Sequence, residues 1–187
     1  MAASKIETWI KAGYKILGAE GVDGIKIERL AKTLKLNKSG FYYYFGTMEF
    51  YLKSVLQYHL ECAHSIGTEI ADCKNIDPDL LNLIVKYKTF FLVESQLLGK
   101  CKLPHVRHDV DEAGQIINKA FLQLWQNTEG LSGDPAVMLD YLNILHHFLY
   151  SRIATETINY ENLHALAVET RAVLEKVISD RHFFHTE

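Results

Sequence analysis

The sequence predicts an all-α protein, and three observations carry that expectation. Only three prolines and eleven glycines interrupt 187 residues. Apolar residues recur at three- and four-residue spacing over long stretches, and no segment shows the strict alternation of a half-buried strand. An apolar fraction of 48% is enough to fill a sizeable core.

The elements follow in order. A first helix is expected from Ser4 to Glu20, because Ser4 and Glu7 have capping-box spacing and Ile6, Trp9, Ile10, Gly13 and Leu17 fall on one face. Gly21 and Gly24 bracket a turn. A second helix carries Ile27, Leu30, Ala31 and Leu34, an i, i+3, i+4, i+7 stripe. Asn37 is a suitable N-cap for a short third helix, Lys38 to about Tyr44. On that helix Phe41, Tyr44 and Phe45 share one side, while Lys38, Ser39, Tyr42 and Tyr43 occupy the other. Gly46-Thr47 ends it and caps a long fourth helix, about Met48 to Asp72.

Asp77-Pro78 marks the next start, since Asp accepts from free N–H groups and Pro is tolerated in the first turn. The segment from Leu80 through Tyr87 to Val93 is apolar on most sides, which predicts one central helix. Leu98–Pro104 reads as a connection and about Val106–Gln126 as a further helix. Asp134-Pro135 opens another, to about Thr157, and Asn159 opens the last, to about Ser179.

Charge is unevenly spread. The net value is −3, yet residues 1–46 carry +4 and the remainder −7. A basic head on an acidic body is the electrostatic outline of a small nucleic-acid-reading module carried by something larger. No apolar run approaches a membrane span. The first residues lack the layout of a secretory signal. Three widely spaced cysteines suit neither a disulfide scaffold nor a thiolate zinc site, so a cytoplasmic location is expected.

Two short helices joined by a tight turn, Ile27–Leu34 then Lys38–Tyr44, make a helix-turn-helix. The run Leu36-Asn37-Lys38-Ser39-Gly40-Phe41-Tyr42-Tyr43-Tyr44-Phe45 resembles the recognition-helix signature of the tetracycline-repressor (TetR) family. Gly21, Ile27, Leu30, Ala31 and Leu34 upstream, and Phe45-Gly46-Thr47-Met48-Glu49 with Leu52 downstream, extend the resemblance over roughly residues 6–56. The resemblance implies a three-helix DNA-binding domain (residues 1–52), joined through a long helix to a helical ligand-binding and dimerisation domain (53–187). It implies a DNA operator as partner, a small-molecule effector and a homodimer, most often a repressor released by its ligand. No cofactor is implied.

Physical chemistry gives each candidate a role. A major groove admits one α-helix, and phosphates line both rims. Lys38 places a cation at the helix start, where free N–H groups also favour an anion. Ser39 is short enough to donate to a base edge or a phosphate. Tyr42 and Tyr43 carry rigid hydroxyls suited to phosphate contacts that fix register. Gly40 lets backbone approach the bases, and Asn37 precedes the helix. Lys26 begins the second helix, where the family usually has Thr or Ser to meet a phosphate, and Thr47 caps another phosphate-facing helix start. Met48 stands where the family usually has Lys, and Lys35 where its turn often has glycine.

In the C-terminal half, Met138, Leu142, Leu145, Leu149 and Ile153 form one stripe, and Leu163, Leu166, Thr170, Val173, Leu174 and Val177 another. The resemblance implies that these last two helices pair with a second subunit. One short recognition helix reads few base pairs, and two-fold symmetry with half-sites ~34–36 Å apart remedies that. For the effector, Tyr87, Phe90, Phe91, Glu94, Phe121, Trp125, His147 and Phe148 supply aromatic walls with a few polar groups.

A second reading comes from Glu61-Cys-Ala-His64 and Glu161-Asn-Leu-His164, both Glu-x-x-His on expected helices. With Glu94 and Glu112 they match the ligand set of carboxylate-bridged di-metal bundles. No nucleophile elbow, phosphate-cradling glycine loop or His-Glu-x-x-His is present, so the sequence is not read as an enzyme.

Overall fold

The structure is a computed structural model that describes residues 4–100, 104–129, 150, 152–154 and 156–184; for 99–100, 104–110, 129 and 173–184 it describes backbone only. Among the described residues there are helices and no strands. The helices are α1 (Lys5–Glu20), α2 (Ile27–Leu34), α3 (Lys38–Phe45), α4 (Met48–Ala71), α5 (Leu81–Lys86), α6 (Lys88–Lys100), α7 (Pro104–Glu129) and α8 (Tyr160–Phe184).

Several ends are set by the expected caps. Ser4 Oγ accepts from the Glu7 N–H at 3.1 Å, Thr47 Oγ1 from the Phe50 N–H at 3.3 Å, and Asn159 Oδ1 from the Asn162 N–H at 2.9 Å. Asn37 occupies the N-cap position of α3, but its side chain makes no capping bond. Nor does Asp77 cap the next element. Asp79 accepts the Lys74 and Asn75 N–H groups there, at 3.0 and 3.1 Å, while Asp77 turns to Tyr160 and His164 on α8.

The expected single helix over 80–93 is two. Tyr87 leaves helical geometry (φ −99°, ψ 26°) between α5 and α6. The break redirects the chain so that α6 runs through the interior, where Phe90, Phe91, Leu92, Val93 and Glu94 are buried in succession. The helix expected over 134–157 lies outside the described residues except near its end. Of its stripe, only Ile153 is described, packed at the edge of the body core.

Two cores result. The head core gathers Trp9, Tyr14 and Leu17 of α1, Leu30 and Ala31 of α2, Phe41 and Phe45 of α3, and Tyr51, Val55 and Leu56 of α4. It also takes Val93 and Leu97 from α6. The body core joins Ala63, Ile66 and Ile70 of α4 to Ala113, Ile117, Ala120 and Leu124 of α7, with Leu163 of α8 at one side. Close approach sets both seams: a Cβ at Gly67 would lie 3.1 Å from Ile116, and one at Gly18 3.2 Å from Leu92. Thus α4 belongs to both cores, and α1 rests directly on α6.

Candidate nucleic-acid interface

The turn between α2 and α3 is closed by backbone bonds. Lys35 N–H donates to Lys32 O at 3.2 Å and Leu36 N–H to Ala31 O at 2.9 Å. This closure needs a left-handed residue, and Lys35 supplies it (φ 55°, ψ 39°). Lysine therefore takes the conformation for which glycine is usually chosen, and the turn keeps its shape.

α3 has two unlike faces. Inward, Phe41 meets Trp9 edge-on at 5.6 Å and Tyr51 at 5.0 Å between ring centroids, and Phe45 meets Tyr51 at 4.9 Å. Tyr51 is itself fixed, since its hydroxyl donates to Trp9 O at 2.8 Å. Burial pushes the Tyr51 phenol well above its ordinary range, so it remains a donor. Tyr44, expected inside with the phenylalanines, is only half-buried. Outward, Lys38 and Ser39 are exposed, as are Tyr42 (52%) and Tyr43 (83%). A side chain at Gly40 would meet nothing within 4 Å.

The remaining sequence-derived positions are accessible too. Lys26 stands exposed at the α2 N-cap, and Asn37 and Thr47 are exposed at the starts of α3 and α4. Met48 is half-buried against the head core, so packing occupies a position where charge was expected from the resemblance.

Two ion pairs on this surface were not anticipated. Lys38 Nζ donates to Glu28 Oε1 at 2.8 Å. The bond holds the Glu28 carboxyl below its ordinary value and raises the Lys38 ammonium above its own. Arg29 grips Glu20 through both terminal nitrogens, at 2.5 and 2.6 Å, and lowers that carboxyl likewise. Both pairs join residues ten or fewer positions apart but on different helices, a relation that i, i+4 reasoning does not reach.

The proposed effector residues fall into groups. Phe90, Phe91 and Glu94 are buried together on α6. Tyr87 lies at the α5–α6 break, half-buried, its hydroxyl donating to Glu69. Phe121 and Trp125 are half-buried on α7, and His147 and Phe148 lie outside the described residues. Sequence reasoning passed over what Glu94 binds. His59 Nε2 lies 3.0 Å from Glu94 Oε1, and His59 Nδ1 lies 2.7 Å from the Tyr14 hydroxyl. The signal was present: His59 is the polar member of an otherwise apolar stripe, Tyr51, Val55, Leu56, His59, Ala63, Ile66.

The di-metal set does not assemble. Glu61, His64, Glu112 and Glu161 are exposed, His164 is taken by Asp77, and Glu94 is buried against His59. Among the described residues no group of three His, Cys, Asp or Glu side chains is placed to hold a metal. No described helix is long and apolar enough to cross a membrane.

No family model and no curated protein matches the chain. A solved structure does: a Mesorhizobium loti MAFF303099 protein provisionally assigned to the TetR family of transcriptional regulators. The match covers 90% of this chain and 96% of that one, with a TM-score of 0.56 and 14% identity. The chain is therefore an all-α protein with a TetR-like fold. Its head carries a helix-turn-helix whose second helix is open to solvent on one face.

Proposed function

We propose that this chain is a DNA-binding transcriptional regulator of TetR type, acting as a homodimer and released from its operator by a small molecule. The observation that carries the reading is the division of α3. Phe41 and Phe45 anchor it in the head core, leaving Lys38, Ser39, Tyr42 and Tyr43 outward on a helix with free space at Gly40. A helix so fixed enters a major groove as a rigid body. Lys38, Tyr42, Tyr43, Lys26 and the α4 start at Thr47 then meet phosphates, and Ser39 with the Gly40 backbone faces base edges. Symmetry supplies the second half-site one helical turn away. The effector binds in the body among Phe90, Phe91 and Glu94, and its arrival shifts α4, which is shared by both cores.

A mobility-shift titration on the chain's own upstream DNA tests this. Affinity should fall steeply with salt, about 0.9 in log–log slope for each phosphate neutralised. Lys38→Ala with Tyr42→Phe should weaken binding and flatten that slope by about one unit, with the fold and dimer unchanged. Normal binding by the double variant would show that α3 is not the reading element.

A further inference from the structure

Glu94 is an unexpected residue for its place. It follows four buried residues, Phe90, Phe91, Leu92 and Val93, and its own exposure is 0%. A carboxylate there loses its hydration, and an apolar side chain would fill the space without that loss. One oxygen is satisfied. A carboxylate only accepts, so His59 Nε2 donates to Oε1, and His59 Nδ1 is hydrogen-bonded to the Tyr14 hydroxyl. Phe90 stacks on the imidazole (4.5 Å, 17° between planes) and Tyr58 packs edge-on against Tyr14 at 5.1 Å, which hold both rings in place.

The other oxygen, Oε2, is buried and carries no hydrogen bond among the described residues. His59 meets Glu94 through Oε1 alone, at 3.0 Å. Burial pushes the Tyr14 and Tyr150 phenols well up, followed by Cys62 and then Glu94 at Tyr14 and by Glu94 at Tyr150. A buried carboxyl oxygen without a hydrogen-bond partner is complementary to a nitrogen that donates, and most of all to a cationic one.

The chain of bonds also has a direction. Glu94 is on α6 in the body, His59 on the shared α4, and Tyr14 on α1 of the head. We propose that Glu94 is the recognition point for an effector bearing a protonated amine or amidine, and that the Tyr14–His59–Glu94 chain conveys its binding to the head. The inference rests on the ligand-responsive reading above and deepens it. A cation on Oε2 draws the carboxylate toward itself and lengthens the bond to His59. The imidazole then shifts against Tyr14, and α1 moves with the helix-turn-helix packed on it.

The test uses benzamidinium and benzylammonium as probes, with benzamide and benzoate as the neutral and anionic controls. The cations should raise the melting midpoint of the full-length protein by about 2 °C or more at millimolar concentration, and the controls should not. They should also move the His59 ring nitrogen resonances of the native protein, a readout that needs no variant. Glu94→Gln, close in shape, should lose the melting shift. Tyr14→Phe should keep the shift, yet lose the five-fold or greater weakening of DNA binding that the cations cause in the native protein. Equal shifts with benzamide, a retained shift in E94Q, or no shift with either cation would overturn the proposal. The melting and resonance arms involve no DNA. Failure to bind DNA at all would therefore sink the regulator reading separately, and intact DNA binding without a cation effect would sink this one alone.

Discussion

Lys38 cannot offer its full charge to a phosphate while Glu28 holds it. Both side chains are about half exposed or more, so solvent screens the pair and the hold is weak. It still opposes docking twice, once by occupying the ammonium and once by placing an anion near incoming phosphates. Glu28→Gln should therefore tighten binding to the chain's own upstream DNA by about two- to five-fold at low salt. The gain should vanish toward 0.5 M salt, where the Debye length is only a few ångströms. A titration showing no gain at low salt would mean that Lys38 lies away from the duplex. Lys35 has a separate cost, paid in backbone geometry. A left-handed conformation is unfavourable for a residue with a Cβ by roughly 1–2 kcal/mol, and glycine returns part of that as chain entropy. Lys35→Gly should thus stabilise the protein by about 0.5–1 kcal/mol in urea unfolding. The φ of 55° makes the sign of this change testable.

Helix α3 is too short to hold itself, and its placement depends on how closely α1 meets α4. Gly13 makes that approach possible: a Cβ there would lie 1.8 Å from the Tyr51 hydroxyl and 2.8 Å from its ring carbon. Gly13→Ala must displace a buried ring that bonds Trp9 O and packs against Phe41 and Phe45. Overpacking of this kind costs about 1–3 kcal/mol. Adding Tyr51→Phe removes the nearer atom but not the farther, so it should recover part of the loss. Additive losses in the double variant, measured by thermal unfolding, would contradict this contact. These elements also show how much could be read beforehand. α1 to α4 were legible because each carries its own apolar stripe, and α1 and α4 begin on a side chain that caps. The division of α3 was legible for the same reason, although Tyr44 proved only half-buried. The α5–α6 break was not. Tyr87 is a tolerable helix former in an unbroken apolar run, and only packing decides that the chain turns there. The Tyr14–His59–Glu94 chain was hidden in the same way, since its members lie 45 and 35 residues apart and meet only after three helices pack.

For the molecule as a whole, acid should act before head and body can separate. Glu7, Glu20, Glu28 and Glu69 all have carboxyls held below the ordinary 4.5 by hydrogen bonds from Lys11, Arg29, Lys38 and Lys86, and Tyr160 and His164 lower Asp77. A depressed folded value means that the stabilisation is present above the unfolded value and lost as pH falls through the folded one. The melting midpoint should therefore stay level down to about pH 5 and decline below about 4.5, less steeply in 1 M salt. Whether that decline is one transition or two depends on the seam. The expected boundary after residue 52 cuts through the head core, which needs Val55 and Leu56 of α4 and Val93 and Leu97 of α6. Val93 is fully buried there, and Gly18 of α1 lies close against Leu92. A fragment ending at Ala71 would keep all of α1 to α4 but expose the surface that α6 covers. It should show helical circular dichroism without a sharp melt, because Trp9, Leu17 and Tyr14 lose part of their enclosure. The full chain should instead unfold in a single step, with Trp9 fluorescence in a Trp125→Phe background tracking the circular dichroism signal through the melt. Two separated midpoints would mean that the head is energetically independent. In that case contact between α1 and α6 could not carry a signal from the body to α3.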